Sequence, residues 1–322
     1  MTINPDENPV LIVDALNVFM RHFVANPTMS SLGHHAGGVV GFLKNLQLLS
    51  DRLCPSRIIV VWEGGGSTRR RSIYKDYKAK RKPQKLNRFY ADDIPDTVKN
   101  KNDQVSILVS MLRYVPVSQV YVSDCEADDV ISYIVKNVIK DSRCVIVSSD
   151  KDYYQLLSDN ITQWSPGQKK FITKDDVAEK FGISVTNFCT ARAIIGDDSD
   201  NLPGIKGAGF RTLAKRFPSL AGDEFISVDE IIKLSAELTA SSKVKLYQRI
   251  VSGDSVVRRN WKLMYLGTQN MSSSQVQKIE YLIDTFEPSQ NKIGLMKRIV
   301  EEGLTTFDVD SFYMSMKSAL RR

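Results

Sequence analysis

Three β-type runs in this chain each end on a carboxylate. VLIVD closes at Asp14, IIVVWE at Glu63, and VIVSSDKD at Asp150, with Asp152 two residues on. Helical patterns fall between them, over about 38–53, 105–114 and 127–139, and a short strand spans 117–122. The last helix carries an apolar stripe at Val130, Ile131, Ile134, Val135 and Val138. Alternation of this kind predicts a mostly parallel sheet covered by helices. Ligands of such sheets bind outside the carboxyl ends of the strands. Three strands would therefore carry three negative charges to one edge, where a hard divalent cation is the natural counter-charge.

Further along, WSPGQKKF reads as a hairpin about a Pro-Gly turn. Thr173 caps a helix running to Phe181, and only helical segments follow. The expected fold is α/β: a mostly parallel central sheet flanked by helices over 1–182, with a helical region appended over 183–322. Residues 92–103 read as polar and mobile. SVVRRNWKLMYLG reads as an amphipathic helix with Trp261 and Met264 in the core, and FYMSMKSALRR as a terminal packing helix.

Several function classes are disfavoured. No apolar run is long enough to span a bilayer, and MTINPDENP is not a signal peptide, so the expectation is a cytoplasmic protein. Cys54, Cys125, Cys144 and Cys189 form no C-x-x-C pair, which argues against a zinc site or disulfide framework. Three histidines offer little material for a His-centred site. The net charge is +7 although the candidate site is acidic. A basic protein with an acidic centre fits a polyanion drawn to a metal.

Two more acidic motifs join the strand ends. EADD supplies Glu126, Asp128 and Asp129 just before a helix, where capping accounts for one acid but not three. IIGDDSDN supplies Asp197, Asp198 and Asp200 in a turn-like setting. Singly, each acid reads as structural. Jointly, Asp14, Glu63, Glu126, Asp128, Asp129, Asp150, Asp152, Asp197 and Asp200 suit a site for two ions roughly 4 Å apart, which clamp the attacking and leaving oxygens of a phosphoryl displacement.

EADD, SSDKD and GDDSDN, in this order and spacing, resemble the 5′ nuclease family of flap endonucleases and 5′→3′ exonucleases, with a PIN-like nuclease core. The resemblance covers about residues 10–217. From 145 through QWSPGQKKF it is similar to the family's phage-type ribonuclease H branch. The resemblance implies one metal cluster at Asp14, Glu126, Asp128 and Asp150, and a looser one at Asp152, Asp197 and Asp200. Asp129 matches a family acid near both, whereas Asp198 falls outside the pattern and reads as solvated. Glu63 stands where the family has Asp, so backbone or water must absorb the extra methylene. Ala15 replaces a common Gly.

A basic insertion, about 68–103, follows the second strand. Arg69, Arg70, Arg71, Lys75, Lys78, Lys80, Arg81, Lys82, Lys85 and Arg88 are interleaved with Tyr74, Tyr77, Phe89 and Tyr90. A solvated basic face is the plain reading of a charge run. The aromatic interleaving and the position beside the acidic edge favour a groove that tracks phosphates and stacks bases. Arg69, Arg70 and Lys75 are candidate backbone contacts. YKAKR resembles the family's arch signature, which implies that Lys78 and Arg81 reach the scissile phosphate and that Tyr77 stacks an unpaired base.

LPGIKGAGFRTLAKRF places Gly204, Gly207 and Gly209 in the reverse of a dinucleotide fingerprint, with no strand before it. An ordinary helix–turn–helix corner competes with a phosphate-binding turn in which Lys206, Arg211 and Lys215 add charge. The segment, within 201–217, resembles the helix–hairpin–helix element that holds duplex DNA by its backbone, often through a monovalent cation such as K⁺.

The expected protein is a monomeric, structure-specific 5′ nuclease using two Mg²⁺ ions, with Mn²⁺ able to substitute. Its expected substrates are 5′ flaps, nicked duplexes or RNA–DNA hybrids, its use the removal of RNA primers in replication, and its partners replication proteins such as a single-stranded-DNA-binding protein. The alternatives are a non-catalytic nucleic-acid binder on a degenerate nuclease scaffold and a phosphohydrolase of small substrates.

Overall fold

The computed structural model describes residues 8–80 and 97–317. The positions expected of Arg81, Lys82, Lys85, Arg88, Phe89 and Tyr90 lie outside the described residues. In chain order the first elements are β1 (Val10–Asp14), α1 (Ala15–Ala25), α2 (Gly37–Leu53), β2 (Arg57–Trp62), α3 (Thr68–Ile73), α4 (Thr97–Leu112), β3 (Val117–Tyr121), α5 (Ala127–Tyr133) and β4 (Cys144–Val147). Then come β5 (Ile161–Ser165), β6 (Lys170–Ile172), α6 (Lys174–Phe181), α7 (Phe188–Ile195), α8 (Phe210–Arg216), α9 (Val228–Ser241), α10 (Lys245–Ser252) and α11 (Asp254–Met264). The chain ends with α12 (Ser273–Asp284), α13 (Lys292–Glu301) and α14 (Val309–Met316).

The strands form one sheet in the order β3-β2-β1-β4-β5-β6. The first five are parallel, and β6 closes antiparallel on β5 with Trp164 opposite Phe171. The chain runs outward from β1 to β3, then returns past β1 to β4. The crevice at the carboxyl ends of β1 and β4 is therefore the switch point where ligands of such sheets bind.

Alternation along the strands gives the sheet two apolar faces. Leu11, Val13, Ile58, Val60, Val145 and Val147 face α1, α2 and α4. Val10, Ile12, Ile59, Val61 and Ile146 face α5. Both faces are buried, which explains why the strands read as continuous apolar runs. Each buried aliphatic side chain contributes about 1.5–3 kcal/mol, so the strand ends are held by a stiff scaffold.

Packing cuts across the sequence division at residue 182. Residues around 181–261 have their own core, centred on Ile194, Leu213, Phe217, Ile231 and Ile250. The last three helices return to the sheet body: Ile279 and Ile283 of α12 join the α5 face, and Leu295, Ile299, Phe312 and Met316 join the opposite one. Met264 is buried as expected, while Trp261 is only partly so. No helix of the described residues is long and apolar enough to cross a membrane.

One local expectation is corrected. Of the stretch 92–103, the described residues 97–103 are not loose insertion but the first two turns of α4. The reason is Gln104, which is buried; its Oε1 accepts from the N–H groups of Gly38 (2.9 Å) and Val39 (3.2 Å), and its Nε2 donates to the His35 carbonyl (2.7 Å). A polar residue thus docks the helix that a search for apolar periodicity passes over. Thr173 does cap α6, through a capping box with Asp176.

Candidate functional site

The sheet brings Asp14, Glu63 and Asp150 to one edge, and the start of α5 adds Glu126, Asp128 and Asp129. An open cleft of about 800 Å³ is lined there by Asp14, Glu63, Glu126, Asp128 and Asp150, with Lys78 on its rim. Asp14 closes β1 and also caps α1, accepting from the Asn17 N–H (3.3 Å). Its other oxygen accepts from Ser148 Oγ and Tyr153 Oη, both at 3.1 Å. Asp150 lies just beyond β4, and its Oδ1 accepts from the Asp152 N–H (2.9 Å). Glu63 Oε2 accepts from the Ala127 N–H (3.3 Å), so it caps α5 from the neighbouring strand.

One guanidinium organises the α5 acids. Arg70, on α3, is 1% exposed. Its Nη1 lies 2.9 Å from Glu126 Oε2, 2.7 Å from Asp129 Oδ2 and 3.5 Å from Asp128 Oδ1. Nη2 donates to Asp129 Oδ1 (3.0 Å), and Nε to the Leu263 carbonyl at the end of α11 (3.0 Å). Glu126 Oε2 also accepts from Lys78 Nζ (2.5 Å) and Tyr77 Oη (3.1 Å). Lys78 has a left-handed backbone, φ +59°, and its N–H donates to the Asp200 carbonyl (2.9 Å).

A second group forms where the two halves of the chain meet. Carboxylate oxygens of Asp152, Asp197 and Asp200 all lie within 4.8 Å of one another. Arg192 of α7 pairs with Asp152 (3.2 Å) and, more tightly, with Asp197. Asp197 and Leu202 form a two-way backbone bridge, at 2.8 and 2.7 Å, which ties this group directly to the glycine-rich hairpin. Gly204 allows that hairpin to seat: a Cβ there would stand 1.8 Å from the Ile195 carbonyl oxygen. Asp198 is exposed and takes no part in the group.

The donor set suits a hard divalent cation. Five carboxylates line the cleft (Asp14, Glu63, Glu126, Asp128, Asp150) and Asp129 stands behind them, against two cations, Arg70 and Lys78, and the shortfall registers in the protonation equilibria. Burial, followed by repulsion from Asp150, pushes the Asp14 carboxyl up to about 7. Burial and the nearby Glu126 and Asp128 also raise Glu63, and burial with Asp128 and Asp200 raises Asp150. Burial and Asp150 push Asp152 up to about 7 against the pull of Arg192. At Asp128 burial works upward too, but Arg70 and Lys78 override it and hold the carboxyl low. Carboxylates short of counter-charge, with oxygen donors throughout, match what a hard divalent cation binds.

Three expectations are corrected here. Arg70 is sealed under Glu126 and Asp129 and is not offered to a phosphate. Tyr77 is buried against Cys189, Leu202, Leu263 and Met264, with its hydroxyl on Glu126, so its ring is not free to stack on a base. Asp129 has both oxygens engaged, by Arg70 and by Asn270 Nδ2 (3.2 Å), which makes it part of the frame rather than of the cleft. Arg69 is half-buried, whereas Lys75, Lys206, Arg211 and Lys215 are exposed and can meet a polyanion. Arg192 escapes the sequence reading, although a lone charge inside the apolar helix FCTARAII is a signal that could have found it.

Three comparisons bear on this arrangement. Residues 9–182 match the family model described as "5'-3' exonuclease, N-terminal resolvase-like domain". The 5'-3' exonuclease of Aquifex aeolicus is 32% identical over 203 residues, covering 62% of this chain and 66% of that protein. Flap endonuclease Xni of Shewanella woodyi is 27% identical over 266 residues, covering 81% of this chain and 94% of the other. Among solved structures, T5 5'-exonuclease with bound zinc superposes with a TM-score of 0.64 at 21% identity, over 91% of this chain and 98% of the other.

Proposed function

The chain belongs to the 5′-3′ exonuclease family, and we propose that it is a structure-specific, metal-dependent 5′ nuclease acting at flaps, nicks and RNA–DNA hybrids. The observation that carries this reading is the bridge between Asp197 and Leu202. It joins carboxylates able to hold metal to a hairpin able to hold duplex, so one rigid unit can set the distance from duplex to cleavage point.

Asp14, Glu126, Asp128 and Asp150 would hold one Mg²⁺, and Asp152, Asp197 and Asp200 a second, more loosely held one; Mn²⁺ would replace either. When bound, the ions supply a hydroxide at neutral pH and stabilise the leaving oxygen. The chain's own residues do the rest. Ser148 and Tyr153 fix Asp14, and the Asp152 N–H fixes Asp150, so these carboxylates, which would hold the ion, are oriented by the chain itself. Lys78 is held at the cleft by the bond from its backbone N–H to the Asp200 carbonyl, and its ammonium, paired with Glu126, would stabilise negative charge on a phosphate entering there. Glu63 stabilises the helix that presents Glu126 and Asp128 and lines the same cleft, where a shift of backbone or an intervening water would bring it to an ion. Arg81 is a candidate second cation on the phosphate, from outside the described residues.

Lys206, Arg211 and Lys215 would track duplex phosphates without reading sequence. A K⁺ ion at this hairpin belongs to the same reading. So do removal of RNA primers, action as a cytoplasmic monomer, and contact with a single-stranded-DNA-binding protein. The test is cleavage of 5′-labelled flap, nicked-duplex and RNA–DNA hybrid substrates with Mg²⁺, the products being mapped. Release of short 5′ products near the single-strand–duplex junction is expected. Binding of all three substrates with no cleavage would instead make the chain a non-catalytic binder.

A further inference from the structure

The glycine-rich turn has a neighbour that its own sequence does not announce. The turn spans Ile205 to Ala208, closed by the Ala208 N–H on the Ile205 carbonyl (2.9 Å), with Gly207 at φ +88°. Gly suits that left-handed position, and Lys206 is thrown to the apex, its side chain in solvent. The Lys206 carbonyl accepts from Arg249 Nη1 of α10 (3.0 Å). The approach is close enough that a Cβ at position 207 would stand 3.3 Å from the same nitrogen. Below the guanidinium, Leu246, Tyr247 and Ile250 bury α10 in the core that also holds Ile205 and Leu213. The helix and the turn are therefore one packed unit.

Arg249 differs from Arg192, Arg258 and Arg298 in what it meets. Arg192, Arg258 and Arg298 each face a carboxylate, which spends their charge inside the protein. Arg249 is exposed and meets a neutral carbonyl through one nitrogen, and among the described residues no carboxylate forms an ion pair with it. A guanidinium has five N–H groups in a rigid fork, so one bond to the turn orients the rest. Lys206, Arg211 and Lys215 are the other exposed cations of the turn and the helix behind it.

We infer that α10 is part of the duplex-binding surface and that Arg249, held by the Lys206 carbonyl, contacts a backbone phosphate beside the one taken by the hairpin. This rests on reading the hairpin as the duplex-binding element. It extends that element from one turn to a turn plus a helix about 40 residues further along the chain, which lengthens the stretch of backbone gripped.

The test is duplex binding by fluorescence anisotropy from about 50 to 200 mM KCl, for the unaltered protein, Arg249→Gln, Arg249→Lys and Lys215→Ala, with melting curves for each. Arg249→Gln should melt with the unaltered protein, weaken binding about 5–10-fold at the lowest salt, and lower the slope of log affinity against log salt by about one unit. Arg249→Lys should keep the slope within experimental error, since the charge is retained. An unchanged slope in Arg249→Gln, beside a reduced one in Lys215→Ala, would overturn the role of Arg249 while leaving the hairpin reading intact. Unchanged slopes in both would remove the hairpin as well.

Discussion

The two acidic groups are built on different plans. The cleft group stands on strands with both faces buried and on a helix start whose counter-ion, Arg70, is almost wholly enclosed. Its oxygens are fixed by Ser148, Tyr153, Arg70 and Lys78 before any ion arrives. The Asp152–Asp197–Asp200 group draws one acid from the sheet body and two from a loop of the helical region, with a less enclosed arginine between them. The first group is thus a stiff centre, which is where the proposed function puts bond breaking. The second is a junction, which ties the acids to the position of the glycine-rich hairpin through the Asp197–Leu202 bridge.

The contrast can be broken by removing each arginine in turn. Arg70→Met leaves Glu126, Asp128 and Asp129 without their enclosed partner and should cost about 3–5 kcal/mol in urea unfolding without metal. Arg192→Met, at a less enclosed group, should cost less, about 1.5–3 kcal/mol. Equal losses would mean that the two groups are not differently enclosed.

A smaller effect concerns pH. Asp14 and Asp152 have folded-state values of about 7 against an ordinary 3.8. The folded protein therefore binds protons more readily than the unfolded chain between those values, and loses stability as pH rises through them. Without metal, the melting temperature should fall by several degrees from about pH 5 to pH 8. Adding Mg²⁺ at pH 8 should restore it, because the ion binds only the folded form. Asp14→Asn should remove part of the fall, and a metal-free melting temperature that climbs over this range would contradict the crowding of the carboxylates.

Much of this was legible in the chain. Strand-end acids are visible because a buried parallel strand shows as an apolar run and the next residue inherits its direction. GDDSDN beside a glycine-rich segment is visible because turns and close approaches restrict residue type. What was hidden lies in the third dimension. In TRRRSI three consecutive arginines read as one basic face, yet the helix turns Arg70 into the protein while Arg69 and Arg71 stay nearer solvent. Tyr77 reads as an exposed aromatic among lysines until the α11 residues Leu263 and Met264 cover it. The return of α12 to α14 to the sheet body leaves no mark either, since an amphipathic helix records that it has a buried face but not which body buries it.

The measurement closest to the central claim is single-turnover cleavage of a 5′ flap with Mg²⁺ by Asp150→Asn, beside duplex binding by the same variant. The substitution keeps shape and removes one charge from the cleft. Cleavage should fall by on the order of 10³-fold while binding and melting stay near those of the unaltered protein. Cleavage at the original rate would contradict the assignment of the cleft carboxylates to metal-assisted hydrolysis.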